Sequence, residues 1–136
     1  MDDVWEDVMR RIGRRIAWPM IFFLLAGVGT AGAQGDPEKG EKVFNKCKAC
    51  HAVDEEKNKI GPHLVGVFGR PAGNVEGFKY SDAMKSSGVV WEDDTIAAYL
   101  KEPKAYIPGN RMAFVGLRQD DEIVDLLAYL HEEAGG

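Results

Sequence analysis

The strongest hydrophobic pattern in the chain lies near its C-terminus. Apolar residues recur there at the helical positions i, i+3, i+4 and i+7: Ile123, Leu126, Leu127 and Leu130. This spacing predicts an amphipathic helix with one apolar stripe. The acidic run 120–122 precedes the stripe, and acidic side chains favour the positive N-terminal end of a helix dipole. We therefore predict a helix that begins near residue 120.

Two earlier segments also carry helix signals. Asp36 followed by Pro37 is typical of a helix N-terminus, and we expect this helix to continue past Phe44 into a pair of cysteines. A second helix is predicted to open at the polar run 92–95, to carry its apolar residues on one face, and to end before Pro103.

Between these helices the chain is predicted to be mostly loop. Residues 52–80 are rich in Gly, Pro and Asn and show no periodic pattern, whereas segment 81–85 predicts a short helix. No strand pattern of useful length is present, so the predicted fold is all-α, with about three to five helices. Short helices and a long loop leave a small apolar core, and we expect a large apolar cofactor to complete it.

The first 33 residues predict a secretory signal peptide rather than part of the fold. The apolar run Ala17–Val28 follows four arginines and precedes small residues that end at Ala33. Cleavage after Ala33 would leave residues 34–136 as the exported domain, in the periplasm. The alternative is a retained membrane anchor, because the uncharged stretch Ile16–Ala33 reaches the lower length limit of a spanning helix.

Composition excludes several classes of protein. The 136 residues carry a formal net charge of −5 and are 45% hydrophobic and 29% charged, which is typical of one ordinary globular domain. The acidic balance disfavours a general nucleic-acid binder, which normally has a basic excess. The chain has only two cysteines, too few for a disulfide scaffold.

The spacing of the two cysteines indicates their chemistry. They stand in the segment Cys47-Lys48-Ala49-Cys50-His51, and C-x-x-C-H is the attachment signature of c-type haem. On a helical turn, residues three apart project from the same side, so both thiols can add to the two vinyl groups at one haem edge. His51 is then placed to ligate the iron.

Two other kinds of site share part of this pattern. A thioredoxin-like redox pair requires βαβ units, and none is predicted here. A zinc site requires further ligands, but the chain has no second cysteine pair, and His63 and His131 are far apart in sequence. We expect His63 to be a loop residue and His131 to lie at the frayed end of the last helix.

Residues 34–136 contain two methionines that could supply the sixth ligand to the iron, Met84 and Met112. Met84 lies in the predicted short helix, whereas Met112 lies in an extended segment beyond Pro108. A thioether must approach from the face opposite His51, so its segment must cross over the haem. A loop can make that crossing, and we therefore favour Met112.

Taken together, residues 35–131 resemble a class I cytochrome c and are similar to bacterial cytochrome c2 and mitochondrial cytochrome c. Besides the haem motif, the matching segments are 35–40, 61–64, 66–70, 77–83, 106–109 and 126–130. The resemblance implies a monomer with a small cytochrome c fold, whose long loops wrap around one covalently attached haem. It also implies that the first helix crosses the last one at Gly40, where the missing Cβ allows a close approach.

The resemblance implies how the haem is held. His51 and Met112 would be the axial ligands, and Cys47 and Cys50 would form the thioether links. The Pro62 carbonyl would accept a hydrogen bond from the His51 imidazole, and so orient the ring and raise its basicity.

Four further residues are implied to surround the haem. Tyr99 would lie beside the Met112 sulfur. Tyr80 and Trp91 would donate hydrogen bonds to a buried propionate, and Arg70 would balance its charge.

The chain departs from the family pattern at two positions close to this network. Met84 stands where Asn is frequent, and Asn110 stands where Thr is usual. Both positions touch the polar network that the resemblance implies around the haem, so the chain differs from the family in this network.

Iron with both axial positions filled by protein has no open site for a substrate, which disfavours oxygenase, peroxidase and gas-binding chemistry. The resemblance therefore implies a one-electron carrier rather than an enzyme. Its donor would be a cytochrome bc1 complex, and its acceptor a terminal oxidase or a photosynthetic reaction centre. Two alternatives stay open: a haem enzyme or ligand sensor whose Met112 bond opens, and a dedicated redox partner of one periplasmic dehydrogenase.

Transient docking on membrane complexes would depend on surface charge. Acidic residues gather in the runs 54–56, 92–94, 120–122 and 132–133. Basic residues lie near the segments expected to frame the haem edge: Lys42, Lys46, Lys79, Lys104 and Arg111. We expect them to form a basic face that steers the haem edge to acidic partners.

Overall fold

The computed structural model describes residues 34–135, so the predicted signal peptide 1–33 lies outside the described residues. Residues 34–135 contain five helices and no strand, which confirms the predicted all-α fold. The helices are α1 (Pro37–Phe44), α2 (Asp82–Lys85), α3 (Asp93–Lys101), α4 (Pro103–Tyr106) and α5 (Asp120–Glu133). None of these helices is long and apolar enough to cross a membrane.

Helix α1 begins at the predicted N-cap and ends earlier than expected. The Asp36 carboxylate accepts hydrogen bonds from the backbone N–H groups of Lys39 (3.2 Å) and Glu38 (3.0 Å). These bonds, that of Lys39 first, lower the pKa of Asp36. The helix ends at Phe44 instead of continuing into the cysteines. Hydrogen-bonded turns carry the chain on, and the Cys47 N–H donates to the Phe44 carbonyl (2.8 Å).

Pro103 separates two helices. Helix α3 starts at Asp93, where the Glu92 N–H donates to Thr95 Oγ1 (2.8 Å), and it ends at Lys101 as predicted. Pro103 is then the first residue of α4, a position at which no N–H is needed for an intrahelical hydrogen bond. The predicted stop is confirmed, and α4 is an element that the hydrophobic pattern does not predict.

Helices α1 and α5 cross at Gly40, as the sequence resemblance implies. A Cβ at Gly40 would lie 2.1 Å from the Asp125 carbonyl oxygen and 2.6 Å from Tyr129 Cβ, so only glycine fits between the helices. The rings of Phe44 and Tyr129 pack with their centroids 5.3 Å apart. The Asp36 N–H also donates to the Asp125 carboxylate (2.7 Å). The first and last helices are thereby joined.

We expect Gly40→Ala to destabilise this crossing. Alanine favours helix by roughly 1 kcal/mol over glycine, but overpacking typically costs about 1–3 kcal/mol. We expect a cost at the upper end, because the new Cβ would meet the backbone carbonyl of Asp125, which cannot rotate away as a side chain can. The free energy of unfolding in guanidinium should fall by at least about 1 kcal/mol. Lys42→Ala, on the exposed face of α1, should change it by no more than about 0.5 kcal/mol. Equal stability of the two variants would contradict the prediction.

The apolar core of residues 34–135 consists of two clusters. The helix cluster comprises Val43, Phe44, Val53, Val67, Ile96, Leu117, Ile123, Leu126, Leu130 and Ala134. The loop cluster comprises Ala72, Met84, Tyr99 and Ile107. Trp91 packs against both clusters, whereas Cys47 packs against the first and Met112 against the second. Residues predicted to hold the haem therefore belong to both parts of the core.

Candidate haem site

The two cysteines lie on one helical turn beyond α1. The N–H groups of Cys50 and His51 both donate to the Cys47 carbonyl, at 2.9 and 3.0 Å, which is the predicted turn with both thiols on one side. No disulfide joins the two cysteines, and burial raises the pKa of the Cys47 thiol to about 11. Both sulfur atoms are therefore placed to serve as thioether links.

The His51 imidazole is held by the loop that follows it. Its Nδ1 lies 2.7 Å from the Pro62 carbonyl oxygen. Because that oxygen can only accept, Nδ1 carries the proton and Nε2 keeps its lone pair for a metal. Burial lowers the pKa of His51, which favours the neutral imidazole that ligates iron. The implied contact between Pro62 and His51 is present.

Gly61 leaves room for the imidazole ring. A Cβ at Gly61 would lie 2.5 Å from His51 Cε1 and 2.9 Å from Nδ1, closer than non-bonded atoms approach. The Gly61 N–H also donates to the Cys50 carbonyl (2.8 Å), which joins the loop to the cysteine turn beside the histidine. Gly61 belongs to a segment that carries the resemblance, but no role for it follows from the sequence.

Met112 is positioned by a buried asparagine two residues before it. Asn110 is 4% exposed, and its side-chain amide donates to the carbonyls of Pro103 (2.7 Å) and Ile107 (2.8 Å). Its oxygen accepts hydrogen bonds from the Met112 N–H (3.0 Å) and the Tyr99 hydroxyl (3.3 Å). Both donors and both acceptor sites of this side chain therefore have partners.

Sequence reasoning missed the part that Asn110 plays in the candidate site. The sequence marks it only as a departure from the family pattern. The available signal is its place directly after Pro108 and Gly109, because an asparagine in a turn often bonds the backbone N–H two residues later. The Lys104 ammonium also donates to the Asn110 carbonyl (2.7 Å). Lys104, predicted for the docking face, thus ties α4 to the Met112 segment as well.

Tyr99 lies in the loop cluster, against which Met112 packs. Burial raises the pKa of Tyr99 to about 12, so its hydroxyl stays protonated at neutral pH and donates to Asn110. The Tyr99 and Trp91 rings have their centroids 5.1 Å apart. Tyr99 therefore supports the methionine segment through Asn110.

Backbone pairing and charge place Arg70 near Trp91 and Tyr80. Arg70 donates to the carbonyls of Val65 (2.9 Å) and His63 (3.0 Å), and its own carbonyl accepts from the backbone N–H of Trp91 (3.0 Å). Burial raises the pKa of Tyr80, and the positive charge of Arg70 opposes that rise. The guanidinium of Arg70 and the phenol of Tyr80 suit a buried carboxylate such as a haem propionate, whereas the structure shows only the backbone N–H of Trp91 bonded here.

The two remaining histidines lie in surroundings different from those of His51. His63 is a loop residue as predicted, and its Nδ1 is buried without a hydrogen-bond partner among residues 34–135. His131 lies in the last turn of α5 as expected, since the helix ends at Glu133, but its contacts contradict the expected fraying. The His131 ring stacks on Phe68 with centroids 3.8 Å apart, and its Nε2 lies 2.8 Å from the Asp93 carboxylate.

Comparison with known proteins identifies the family. The model of the Cytochrome c family matches residues 37–133, which include every residue of the site. This chain belongs to the cytochrome c family. The cytochrome is 45% identical over 113 residues to cytochrome c2 of Blastochloris viridis, a match that covers 82% of this chain and 88% of the relative. It is 48% identical over 99 residues to cytochrome c-550 of Nitrobacter winogradskyi, with coverages of 72% and 91%.

A solved structure supports the same assignment. The cytochrome matches cytochrome cH from Methylobacterium extorquens with a TM-score of 0.68 and 42% sequence identity, over 72% of this chain and 99% of the other. The small cytochrome c fold is confirmed. As a member of this family of electron carriers, the cytochrome carries one covalently attached haem c, and the two cysteines on one turn and the oriented His51 fit that group.

Charge is unevenly distributed over the cytochrome. A groove of about 300 Å³ beside His51 is lined by four carboxylates and two ammonium groups: Glu41, Asp54, Glu55, Glu133, Lys48 and Lys59. Neither Met112 nor Tyr99 lines this groove, so it is not the haem cavity. Among the basic residues predicted to frame the haem edge, Lys46 pairs with Glu122 (2.7 Å). The predicted separation of charges is therefore incomplete at Lys46.

Proposed function

We propose that the cytochrome is a periplasmic one-electron carrier whose iron is ligated by His51 and Met112. The observation that carries this assignment is a pair of hydrogen bonds, one that orients the His51 ring and one that fixes the Met112 backbone. The Pro62 carbonyl leaves His51 Nε2 free for the iron, and the Asn110 amide holds the Met112 backbone. Cys47 and Cys50 would form the thioether links.

When bound, the haem supplies a one-electron couple between ferrous and ferric iron. The protein holds the two ligands and tunes their strength. The Pro62 carbonyl raises the basicity of His51, whereas the Met112 thioether is a weak donor that raises the reduction potential. Because both ligand segments are fixed by hydrogen bonds, little rearrangement is needed when the iron changes its charge. Tyr80, Trp91 and Arg70 would satisfy and balance a propionate.

The proposed partners are membrane redox complexes, with a bc1-type complex as donor and a terminal oxidase or photosynthetic reaction centre as acceptor. The family assignment supports a role with membrane complexes in general. The proposed basic face comprises Lys42, Lys46, Lys79, Lys104 and Arg111. The Lys46–Glu122 pair reduces its charge at one point. The predicted leader supports export to the periplasm.

The absorption spectrum of the purified protein tests the function. We expect the pyridine haemochrome of c-type haem, one per chain, and the weak near-infrared band of a methionine bound to ferric iron. In steady-state assays, purified bc1 complex should reduce the oxidised cytochrome rapidly, as expected of a general electron carrier. A protein without the near-infrared band at neutral pH would instead be a ligand-binding haem protein, and haem removable by acid acetone would exclude the covalent links.

Electrostatic steering predicts a salt dependence of electron transfer. The second-order rate with an acidic partner complex should fall at least several-fold between about 0.01 and 0.15 M salt, because the Debye length shrinks from roughly 30 to 8 Å. Lys79→Gln should reduce both the rate and its salt dependence. Lys57→Gln is the control, since Lys57 lies outside the proposed face and faces Glu55 at 3.7 Å. A rate that rises with salt throughout would refute steering by a basic face.

A further inference from the structure

A second methionine lies in the cluster against which the proposed iron ligand packs, and the proposed function assigns it no role. Met84 is 9% exposed and packs with Tyr99 and Ile107 in the loop cluster. Met112 packs against the same cluster. Met84 and Met112 are the two methionines of residues 34–135, so both thioethers of this part of the chain meet one apolar cluster.

The backbone of Met84 is fixed on both sides by serine side chains. Ser81 is buried, and its Oγ accepts a hydrogen bond from the Met84 N–H (3.1 Å). The Ser87 hydroxyl donates to the Met84 carbonyl (2.8 Å). Although α2 has only four residues, these two hydrogen bonds hold the backbone from which Met84 projects into the loop cluster.

Helix α2 also touches the segment that carries Met112. A Cβ at Gly109 would lie 3.2 Å from Ala83 Cβ, so the neighbour of Met84 packs directly against the turn before Asn110. Asn110 in turn binds the Met112 N–H. The short helix and its buried methionine thus form one wall against the segment of the proposed ligand.

We propose that Met84 is a positioning residue for Met112, because its side chain completes the apolar wall beside the Met112 segment and disfavours replacement of the Met112 sulfur by external ligands. The inference rests on the proposed ligation by Met112. A thioether is a neutral, weak ligand, and access of water or a polar competitor to its surroundings favours its displacement. The unbranched side chain of methionine fills irregular apolar space well. Asn is frequent here in the family, but an amide in this chain would bring a polar group and water among Ala72 and Ile107.

The test is a titration of the oxidised holoprotein with imidazole, followed by loss of the near-infrared band. Met84→Asn should bind imidazole on the order of tenfold more tightly than the unmodified protein, because the amide brings a polar group and water into the apolar wall. Met84→Leu, with similar volume and no polar atom, should stay within about twofold. Met84→Ala opens the same wall and should change the affinity in the same direction as Met84→Asn, which keeps the test available if the asparagine variant does not fold.

A variant in the other cluster separates positioning from general stability. Val43→Ala truncates a buried side chain of the helix cluster and should lower the free energy of unfolding while leaving the imidazole affinity unchanged. The proposal would be overturned if Met84→Asn and Met84→Ala both bound imidazole with the affinity of the unmodified protein. It would also be overturned if Val43→Ala gained as much imidazole affinity as the Met84 variants. An unmodified protein without the near-infrared band would refute Met112 ligation itself, which distinguishes the failure of the proposed function from that of Met84.

Discussion

Replacing Met112 with alanine is expected to abolish the near-infrared band of the oxidised cytochrome and to lower its reduction potential. Alanine has no donor atom, so the iron would lose the weak thioether ligand that we propose, which raises the potential. The fall should be a substantial part of the roughly 0.8 V range over which axial ligands set haem potentials. Potentiometric titration measures it on protein that keeps its haem through Cys47 and Cys50.

Met84→Leu is the matched control for this experiment. It removes the other thioether that meets the loop cluster but keeps the volume and polarity of the side chain, so the band and the potential should stay near those of the unmodified protein. If the band survives in Met112→Ala and disappears only when Met84→Leu is added, Met84 is the ligand and the proposed assignment is wrong.

Replacing Gly61 with alanine is expected to displace the His51 ring. The new Cβ would lie 2.5 Å from Cε1, 2.9 Å from Nδ1 and 3.0 Å from Nε2, so no small rotation of the ring relieves the contact. Movement of the ring would break the 2.7 Å hydrogen bond to Pro62. Overpacking and a lost hydrogen bond together should lower the free energy of unfolding by about 2–4 kcal/mol. The yield of protein with a normal haem spectrum should fall as well.

Gly88→Ala separates this crowding from the loss of a glycine as such. Gly88 has a φ of +69°, and a Cβ there meets nothing within 4 Å. Its substitution therefore introduces backbone strain of about 1–2 kcal/mol without touching the site, and the haem spectrum should not change. If Gly61→Ala had a normal haem spectrum and the same free energy of unfolding as the unmodified protein, the loop would have moved aside, and the contact with His51 would not require glycine.

The parts of the site that could be predicted depend on short stretches of sequence. Cys47, Cys50 and His51 lie within one turn, and the N–H groups that bind the Cys47 carbonyl come from residues three and four positions later. The starts of α1 and α3 were predictable for the same reason, because a cap requires only a side chain and the N–H groups next to it. Met112 could be favoured because residues 34–136 offer only two methionines and it lies in an extended segment, whereas Pro62 needed the family resemblance, since no local pattern links it to His51.

Asn110 and Gly61 show why the rest could not be predicted. Asn110 acts through Tyr99, eleven positions earlier, and through Pro103 in another helix. Gly61 matters because the His51 ring occupies the space where its side chain would be. Such contacts depend on how the loops close around the site, and neither hydrophobic spacing nor composition encodes that closure.

The sequence by itself determined the helical character, the helix starts and the haem motif, because these arise from interactions between residues a few positions apart. Tertiary structure alone decided that Asn110 supports Met112, that Met84 packs in the same cluster, that Lys46 pairs with Glu122, and that Asp93 and Phe68 hold His131. The bond from Asn110 to the Met112 N–H spans only two positions, but Tyr99 and Pro103 hold the Asn110 side chain from earlier in the chain, and the other contacts join distant segments. Their geometry follows from the packing of α1 on α5 and of the loops on the small core, and the loops have no periodic pattern of their own from which that packing could be read.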